Sequence, residues 1–101
     1  MSLYETHIIE GFLKEHPDVE DCQVVVVPDP KVGEELFAWI ILKDNKHLTE
    51  DMIKDYFKGK LSPSKMPRYF QFVDEYPRTT SGKIQKLKLK ENAEQLINRK
   101  G

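Results

Sequence analysis

The sequence predicts a small α+β domain with a mixed or antiparallel sheet of about three strands and helices packed mainly on one face. Two apolar runs, residues 19–27 and 35–42, flank a connection rich in proline and glycine, which is typical of an antiparallel hairpin. An aromatic run covers 69–73, and amphipathic stretches lie before, between and after these strands. The length of 101 residues suits one domain with a modest core.

The first helix is predicted over residues 4–16, where apolar residues recur at the spacing of one helical face: Ile8, Ile9, Phe12 and Leu13. Pro17 ends this helix, because the residue before a proline avoids the α conformation. The valines of 24–27 are β-branched and uninterrupted by polar residues, which predicts a strand buried on both faces.

The second helix is expected to begin at Thr49, a residue that favours the N-cap position. Its predicted buried stripe consists of Met52, Ile53, Tyr56, Phe57 and Leu61. After the third strand and a polar loop, the apolar residues of 86–98 predict a terminal helix that follows a short extended start.

The composition argues against several classes of protein. Cys22 is the one cysteine, so neither an internal disulfide nor a cysteine cluster for metal is expected, and we interpret it as a small core residue. The histidines lack ligand spacing, so no metal site is expected. No apolar run has the length of a membrane span or signal segment, and we therefore expect no integral membrane segment and a cytoplasmic location.

Charge is distributed unevenly along the chain. Residues 1–55 hold 13 acidic and 5 basic residues, whereas residues 56–90 hold 9 basic and 2 acidic ones. A concentrated positive half favours an anionic partner. Charged, solvated helix faces are the simpler explanation, and the separation of the two signs weakens it.

The stretch most informative for function is the polar loop within 77–86. Gly82 can adopt backbone conformations closed to other residues, and Lys83 would project from such a turn as a compact charge suited to a phosphate or carboxylate. A solvated turn before a helix is the simpler interpretation. The stretch is not a P-loop, because Pro77 rather than glycine stands five residues before Gly82 and Ile84 follows the lysine.

Four stretches carry a family resemblance: His16–Asp21, Val27–Pro30 with Gly33-Glu34, Lys65–Tyr69 with Phe72-Val73, and Pro77–Lys86. In order and spacing they resemble the C-terminal domain of the adenylate-forming enzymes, which include acyl-CoA synthetases, peptide-synthetase adenylation domains and luciferases. Thr6 and Ile8 depart from the family pattern, which has a proline and a glutamate there. We interpret residues 1–3 as a leader added by cloning and place the domain at residues 4–101.

The resemblance implies the mobile cap domain of an ATP-dependent fatty acid–CoA ligase, with the large N-terminal adenylation domain that acts in cis absent from these residues. The implied substrates of the complete enzyme are a carboxylic, fatty acid, ATP with Mg²⁺, and coenzyme A. None is expected to bind tightly to the 101-residue chain, which alone is expected to be inactive. By its position in the motif, Lys83 resembles the family's catalytic lysine for acyl-AMP formation, and Thr80, Ser81 and Gly82 would shape the loop that presents it.

Coenzyme A carries phosphates, so the resemblance implies a basic face for thioester formation. The candidates are Lys65 and Arg68, with Met66 and Pro67 as backbone and apolar wall. Arg68 can grip a phosphate with two hydrogen bonds. Surface cations beside a strand are the simpler interpretation of the same residues.

Two further expectations concern the remaining cations. Lys86, Lys88 and Lys90 are expected to be solvated or docked on the large domain. The alternative function is a free-standing basic module that binds nucleic acid or an acidic protein. No recognised nucleic-acid motif or interleaved stacking aromatics accompany the cations, so we expect no nucleic-acid partner.

Overall fold

The computed structural model describes residues 3–31, 33–60 and 66–100, with side chains described over 6–31, 33–60 and 66–98. The elements in these ranges are α1 (Leu3–Lys14), β1 (Val19–Asp29), β2 (Gly33–Leu42), α2 (Glu50–Phe57), β3 (Tyr69–Phe72) and α3 (Lys86–Lys100). The predicted α+β class is confirmed. None of the helices in these ranges is long and apolar enough to cross a membrane.

β1 and β2 form the antiparallel hairpin that the two apolar runs predict. Val24 lies opposite Ala38, and the pairing continues as far as Asp29 opposite Gly33. Each strand is therefore two residues longer at the turn than predicted. Pro28 is tolerated within β1 because this strand lies at the edge of the sheet, where a missing N–H need not cost a ladder bond.

β3 lies beside β2 in the parallel orientation, so the sheet is mixed and its order is β1-β2-β3. Tyr69 lies opposite Phe37, and the backbone N–H of Val73 extends the pairing by donating to the carbonyl of Ile40 at 2.9 Å. Parallel neighbours require a crossover connection, and α2 lies within it. β2 is consequently the central strand.

The side chains of the sheet alternate between two buried layers. The first core joins one face of the sheet to α1 and α2: Ile9, Leu13, Val19, Cys22, Val24, Leu36, Ala38, Ile40, Leu48, Ile53, Phe57 and Phe70. The second core joins the opposite face to α3: Val25, Val27, Phe37, Trp39, Tyr76, Leu89 and Ala93. Two helices thus share one face, as predicted, and α3 covers the other.

Two hydrogen bonds attach Tyr76 and the first turns of α3 to the central strand β2. The indole Nε1 of Trp39 donates to the carbonyl of Leu89 at 3.2 Å, and the hydroxyl of Tyr76 donates to the carbonyl of Trp39 at 3.0 Å. Both are buried, where a hydrogen bond left unmade is costly. They fix the segment before the Lys83 loop and the first turns of α3 against β2.

The predicted stripe of α2 is confirmed in part. Thr49 is the N-cap, and its hydroxyl accepts from the backbone N–H of Met52 at 3.1 Å. Ile53 and Phe57 are buried, but the Met52 side chain is exposed, because this short helix has only a narrow face on the core. Leu61 lies outside the described residues.

Cys22 is fully buried in the first core, as predicted from its place in an apolar run. Burial, assisted by the charges of Glu10 and Asp21, raises the pKa of the thiol well above its ordinary value. The thiol therefore stays protonated in the fold at a pH where an exposed cysteine ionises, which makes it an inert packing group.

This raised pKa makes stability depend on pH. A group with a raised folded-state pKa contributes its full stability below its unfolded pKa, about 8.5 for cysteine, and that contribution is lost as the pH rises further. We expect the free energy of unfolding to fall above about pH 8.5, and to fall less steeply in Cys22→Ala. Urea unfolding of both chains across this range measures the slopes; parallel curves would contradict the expectation.

Candidate functional site

The Lys83 loop, residues 77–85, is a small hairpin between β3 and α3. Arg78 and Ile84 form an antiparallel bridge. The N–H of Thr79 donates to the carbonyl of Lys83 at 2.8 Å, and the N–H of Gln85 donates to the carbonyl of Pro77 at 2.9 Å. The motif predicted from sequence is therefore a folded unit whose backbone groups bond to each other.

The tip of the loop is closed by local polar contacts. The N–H of Gly82 donates to the carbonyl of Thr79 at 2.9 Å, and Gly82 has a φ of 90°, which side-chain-bearing residues rarely adopt. The Thr79 hydroxyl lies 2.9 Å from that of Ser81 and accepts from the N–H of Lys83 at 3.2 Å. Arg78 donates from Nη1 to the carbonyl of Gly82 at 2.8 Å.

These contacts leave the Lys83 side chain projecting into solvent. Lys83 is exposed, and within the described ranges no carboxylate pairs with its ammonium group. Thr80 and Ser81 are exposed as well, whereas Thr79, which the sequence reasoning did not single out, makes the bonds that order the turn. Lys83 is therefore an exposed cation on a loop ordered by its own hydrogen bonds.

Two anchors connect this loop to the body of the domain. On its N-terminal side, Tyr76 is buried and bonds to β2 as described. On its C-terminal side, the ammonium group of Lys86 lies 2.7 Å from Oε2 of Glu10 on α1. The expectation that Lys86 is solvated or docked on another domain is therefore wrong, because a buried carboxylate within this domain holds it; Lys88 and Lys90 are exposed.

Glu10 was missed by sequence reasoning. Its side chain is only 6% exposed, and Oε2 also accepts from the backbone N–H of Val24 at 2.7 Å. Helical periodicity places Glu10 on the core face of α1, because Thr6 at i−4 and Leu13 at i+3 share that face and both are buried. A carboxylate on a core face needs a partner.

The residues predicted to contact coenzyme A differ in their accessibility. Arg68 is exposed, immediately before β3, with its guanidinium 5.7 Å from the centroid of the Tyr69 ring. Pro67 is buried and Met66 is half-buried against the first core, so both pack in the domain. Lys65 lies outside the described residues. A role for these four residues stays a prediction.

Four cavities among the described residues lie away from Lys83. The one of about 830 Å³ is lined by Glu20, residues 41–46 and residues 72–74. Residues 77–85 line none of these four.

A three-stranded mixed sheet with helices on both faces and an exposed lysine on a glycine-closed hairpin defines a small α+β domain. The family model for the AMP-binding enzyme C-terminal domain matches residues 8–83. The chain belongs to this family.

Relatives agree with the family. The chain is 56% identical over 90 residues to a putative acyl-CoA synthetase, YngI, of Bacillus subtilis (strain 168), covering 89% of this chain and 16% of the relative. It is 50% identical over 90 residues to the mitochondrial medium-chain acyl-CoA ligase ACSF2 of Macaca fascicularis, covering 89% and 15%. The chain thus spans about one sixth of the length of these relatives.

A solved structure shares the fold. The fatty acyl CoA synthetase of Mycobacterium tuberculosis superposes with a TM-score of 0.76 at 31% identity, over 87% of this chain and 17% of that one. The match confirms the family resemblance drawn from the four sequence stretches, and it supports the adenylate-forming interpretation over a free-standing basic module.

The backbone of Gly82 can be tested against that of Gly11. An added Cβ meets no atom within 4 Å at either position, but only Gly82 has a positive φ. Gly82→Ala should lower the free energy of unfolding by about 1–2 kcal/mol, whereas Gly11→Ala within α1 should raise it by about 0.5–1 kcal/mol. Chemical denaturation of both variants measures these changes, and equal shifts would count against a strained turn.

Proposed function

We propose that the chain, over residues 4–101, is the C-terminal domain of an ATP-dependent fatty acid–CoA ligase and that Lys83 stabilises the charge that develops during acyl-AMP formation. The observation that carries this proposal is the exposed Lys83, which pairs with no carboxylate among the described residues, on an internally bonded hairpin. The family membership and the names of the relatives, an acyl-CoA synthetase and a medium-chain acyl-CoA ligase, support the class of reaction.

In the first half-reaction, the carboxylate of the acid attacks the α-phosphate of ATP, so that acyl-AMP forms and pyrophosphate leaves. Negative charge gathers on the phosphate oxygens in the transition state. A fixed cation that meets this charge more closely than it meets the ground state lowers the barrier. The ammonium group of Lys83 suits this task because it is compact, and because the loop behind it needs no reorganisation.

The rest of the site must come from another domain. The chain spans about one sixth of its relatives, and the Lys83 loop lines none of the four cavities described above. We propose that a large N-terminal adenylation domain in cis holds ATP, its Mg²⁺ and the acid, and that the present domain docks Lys83 onto them. Such a domain can swing as a rigid body between half-reactions.

In the second half-reaction, the thiol of coenzyme A attacks acyl-AMP and AMP leaves. Arg68 and Lys65 are the proposed contacts for the phosphates of coenzyme A. Arg68 is exposed, with its guanidinium carbon 5.7 Å from the centroid of the Tyr69 ring, and a guanidinium can grip a phosphate with two hydrogen bonds. Arg68 immediately precedes β3 whereas the Lys83 loop follows it, so the two proposed roles belong to different segments of the domain.

The role of Lys83 is tested in the complete enzyme. Lys83→Ala should slow acyl-AMP formation by roughly a hundredfold or more, the scale for loss of one preorganised charge-stabilising group. Lys83→Arg should rescue it poorly, because a planar fork does not replace a compact ammonium. Pyrophosphate exchange with straight-chain fatty acids from acetate to palmitate measures the first step, and thioester formation from presynthesised acyl-AMP measures the second, which should stay near normal.

Lys88→Ala is the matched control, since Lys88 is also exposed and lies on the adjoining helix. It should leave both steps within about twofold of the parent enzyme, as surface substitutions usually do. Equal loss of both steps in Lys83→Ala would overturn a role confined to acyl-AMP formation. Absence of any exchange by the parent enzyme would overturn the proposed reaction.

The coenzyme A contacts are tested by replacing Lys65 and Arg68 together with alanine. The KM for coenzyme A should rise by roughly tenfold or more, since each charge-assisted hydrogen bond contributes more than a neutral one. Acyl-AMP formation should stay nearly intact. Steady-state kinetics with varied coenzyme A measure the change, with Lys46→Ala as an exposed-cation control; unchanged coenzyme A kinetics would place the site elsewhere.

A further inference from the structure

The carboxylate of Glu10 is a buried charge placed between three elements. Oε2 accepts from the backbone N–H of Val24 on β1 at 2.7 Å and from the ammonium group of Lys86 at 2.7 Å. His7, one helical turn earlier, places Nδ1 3.6 Å from Oε1. A side chain on α1 is thus bonded to the edge of the sheet and to the first residue of α3.

The ion pair between Glu10 and Lys86 is a strong geometric constraint. The Glu10 side chain is only 6% exposed, whereas the Lys86 side chain is 37% exposed. The ion pair is therefore shielded from water on the Glu10 side and open to it on the Lys86 side. Taking one partner away would leave a buried carboxylate with less compensation, which is costly. The pair therefore resists displacement of Lys86 from α1.

The position of Lys86 matters because it lies three residues after Lys83. Most hydrogen bonds of residues 77–85 run among the loop residues themselves and fix the shape of the hairpin, while Ile84 packs against the second core. The side-chain polar attachments lie at the two ends. Tyr76 bonds to Trp39 at one end, and Lys86 bonds to Glu10 at the other.

The Tyr76 bond and the packing of Ile84 hold the hairpin on the second core. The Glu10–Lys86 pair adds a contact with α1 at the end of the hairpin, three residues after Lys83. Misplacement of a catalytic group by about 1 Å can cost on the order of a hundredfold in rate. The second anchor is therefore placed where it controls the position of the Lys83 ammonium group.

We propose that Glu10 is a positioning residue for Lys83, acting through its ion pair with Lys86. This inference rests on the proposed function, in which Lys83 serves acyl-AMP formation. Glu10 itself touches no reacting atom, since it is buried beneath the start of α3. Its contribution is confined to the step in which Lys83 takes part.

Glu10→Gln removes the negative charge of the side chain and changes little else. The amide oxygen of glutamine can still accept from the N–H of Val24, and the side chain keeps nearly the same volume, so the contact with β1 is retained. The ionic partner of Lys86 is lost. Lys86→Met removes the other charge from a half-exposed position, and Lys86→Arg keeps a cation there.

The experiment uses the complete enzyme and the best fatty acid of the panel described above. Glu10→Gln and Lys86→Met should each slow acyl-AMP formation by roughly ten- to a hundredfold, with the KM for ATP within about twofold of normal. The double variant should be no slower than either single one, because both break one contact. Lys86→Arg should retain most of the activity, and thioester formation from presynthesised acyl-AMP should stay near normal in all.

A matched control is available on the same helix. Lys14 pairs with Asp21 at 3.3 Å and also ties α1 to β1, but it does not reach the start of α3. Asp21→Asn should therefore leave both half-reactions within about twofold of the parent. Thermal unfolding of every variant shows whether a rate change follows lost stability.

The outcomes separate the two proposals. Normal acyl-AMP formation in both Glu10→Gln and Lys86→Met, equal loss of both half-reactions, or losses that multiply in the double variant would each overturn the positioning role while the proposed function stands. If Glu10→Gln does not fold, the test rests on the other partner: Lys86→Met should slow acyl-AMP formation, and Lys86→Arg should retain most of it. Full activity of Lys83→Ala would overturn the proposed function and this inference together.

Discussion

The central strand β2 is buried on both of its faces, and this constraint determines how the rest of the chain is arranged. Leu36, Ala38 and Ile40 face the first core, whereas Phe37 and Trp39 face the second. A sheet buried on both sides needs helices on both sides. Because α1 and α2 cover the first face, α3 must cover the second, and Tyr76, which is buried in the second core, brings the chain to that face before the Lys83 loop begins.

The polar groups of the Lys83 loop bond mainly to one another, and Lys83 pairs with no carboxylate in the part of the chain that the structure describes. The hydroxyls of Thr79 and Ser81, the guanidinium of Arg78 and several backbone groups all bond within the hairpin. This arrangement differs from a phosphate cradle, in which such donors point at the ligand. Lys83 is thus exposed on a hairpin whose other polar groups are engaged within the hairpin itself.

The elements of the fold were predictable because they depend on local patterning. The unbroken valines of 24–27 indicated burial on both faces, and the proline-rich connection indicated the hairpin. The position of Lys83 followed from a motif, since the residues that shape the turn are neighbours in sequence. The side of the sheet that α3 covers and the exposure of Met52 depend on how elements pack, which periodicity alone does not specify.

The anchor at Glu10 could not be predicted in the same way, because its partner is 76 residues distant in sequence. Lys86 stands in a run of alternating basic and apolar residues, and nothing local distinguishes it from Lys88 or Lys90. Only the tertiary fold, which brings α1 beside the start of α3, makes one of these lysines structural. Of the two partners, only Glu10 stands out from its surroundings, because it is a carboxylate on a helical face whose other residues are buried.

The contact between Glu10 and Val24 has a further consequence for how this domain behaves at high concentration. β1 is an edge strand, and an edge strand rich in valine offers unpaired backbone groups to which a strand of another molecule can add. The carboxylate occupies the N–H of Val24 and places a negative charge in the path of an incoming strand. Pro28, near the end of the same strand, has no N–H to offer. The edge is thus protected against intermolecular β-pairing by the same side chain that holds the start of α3.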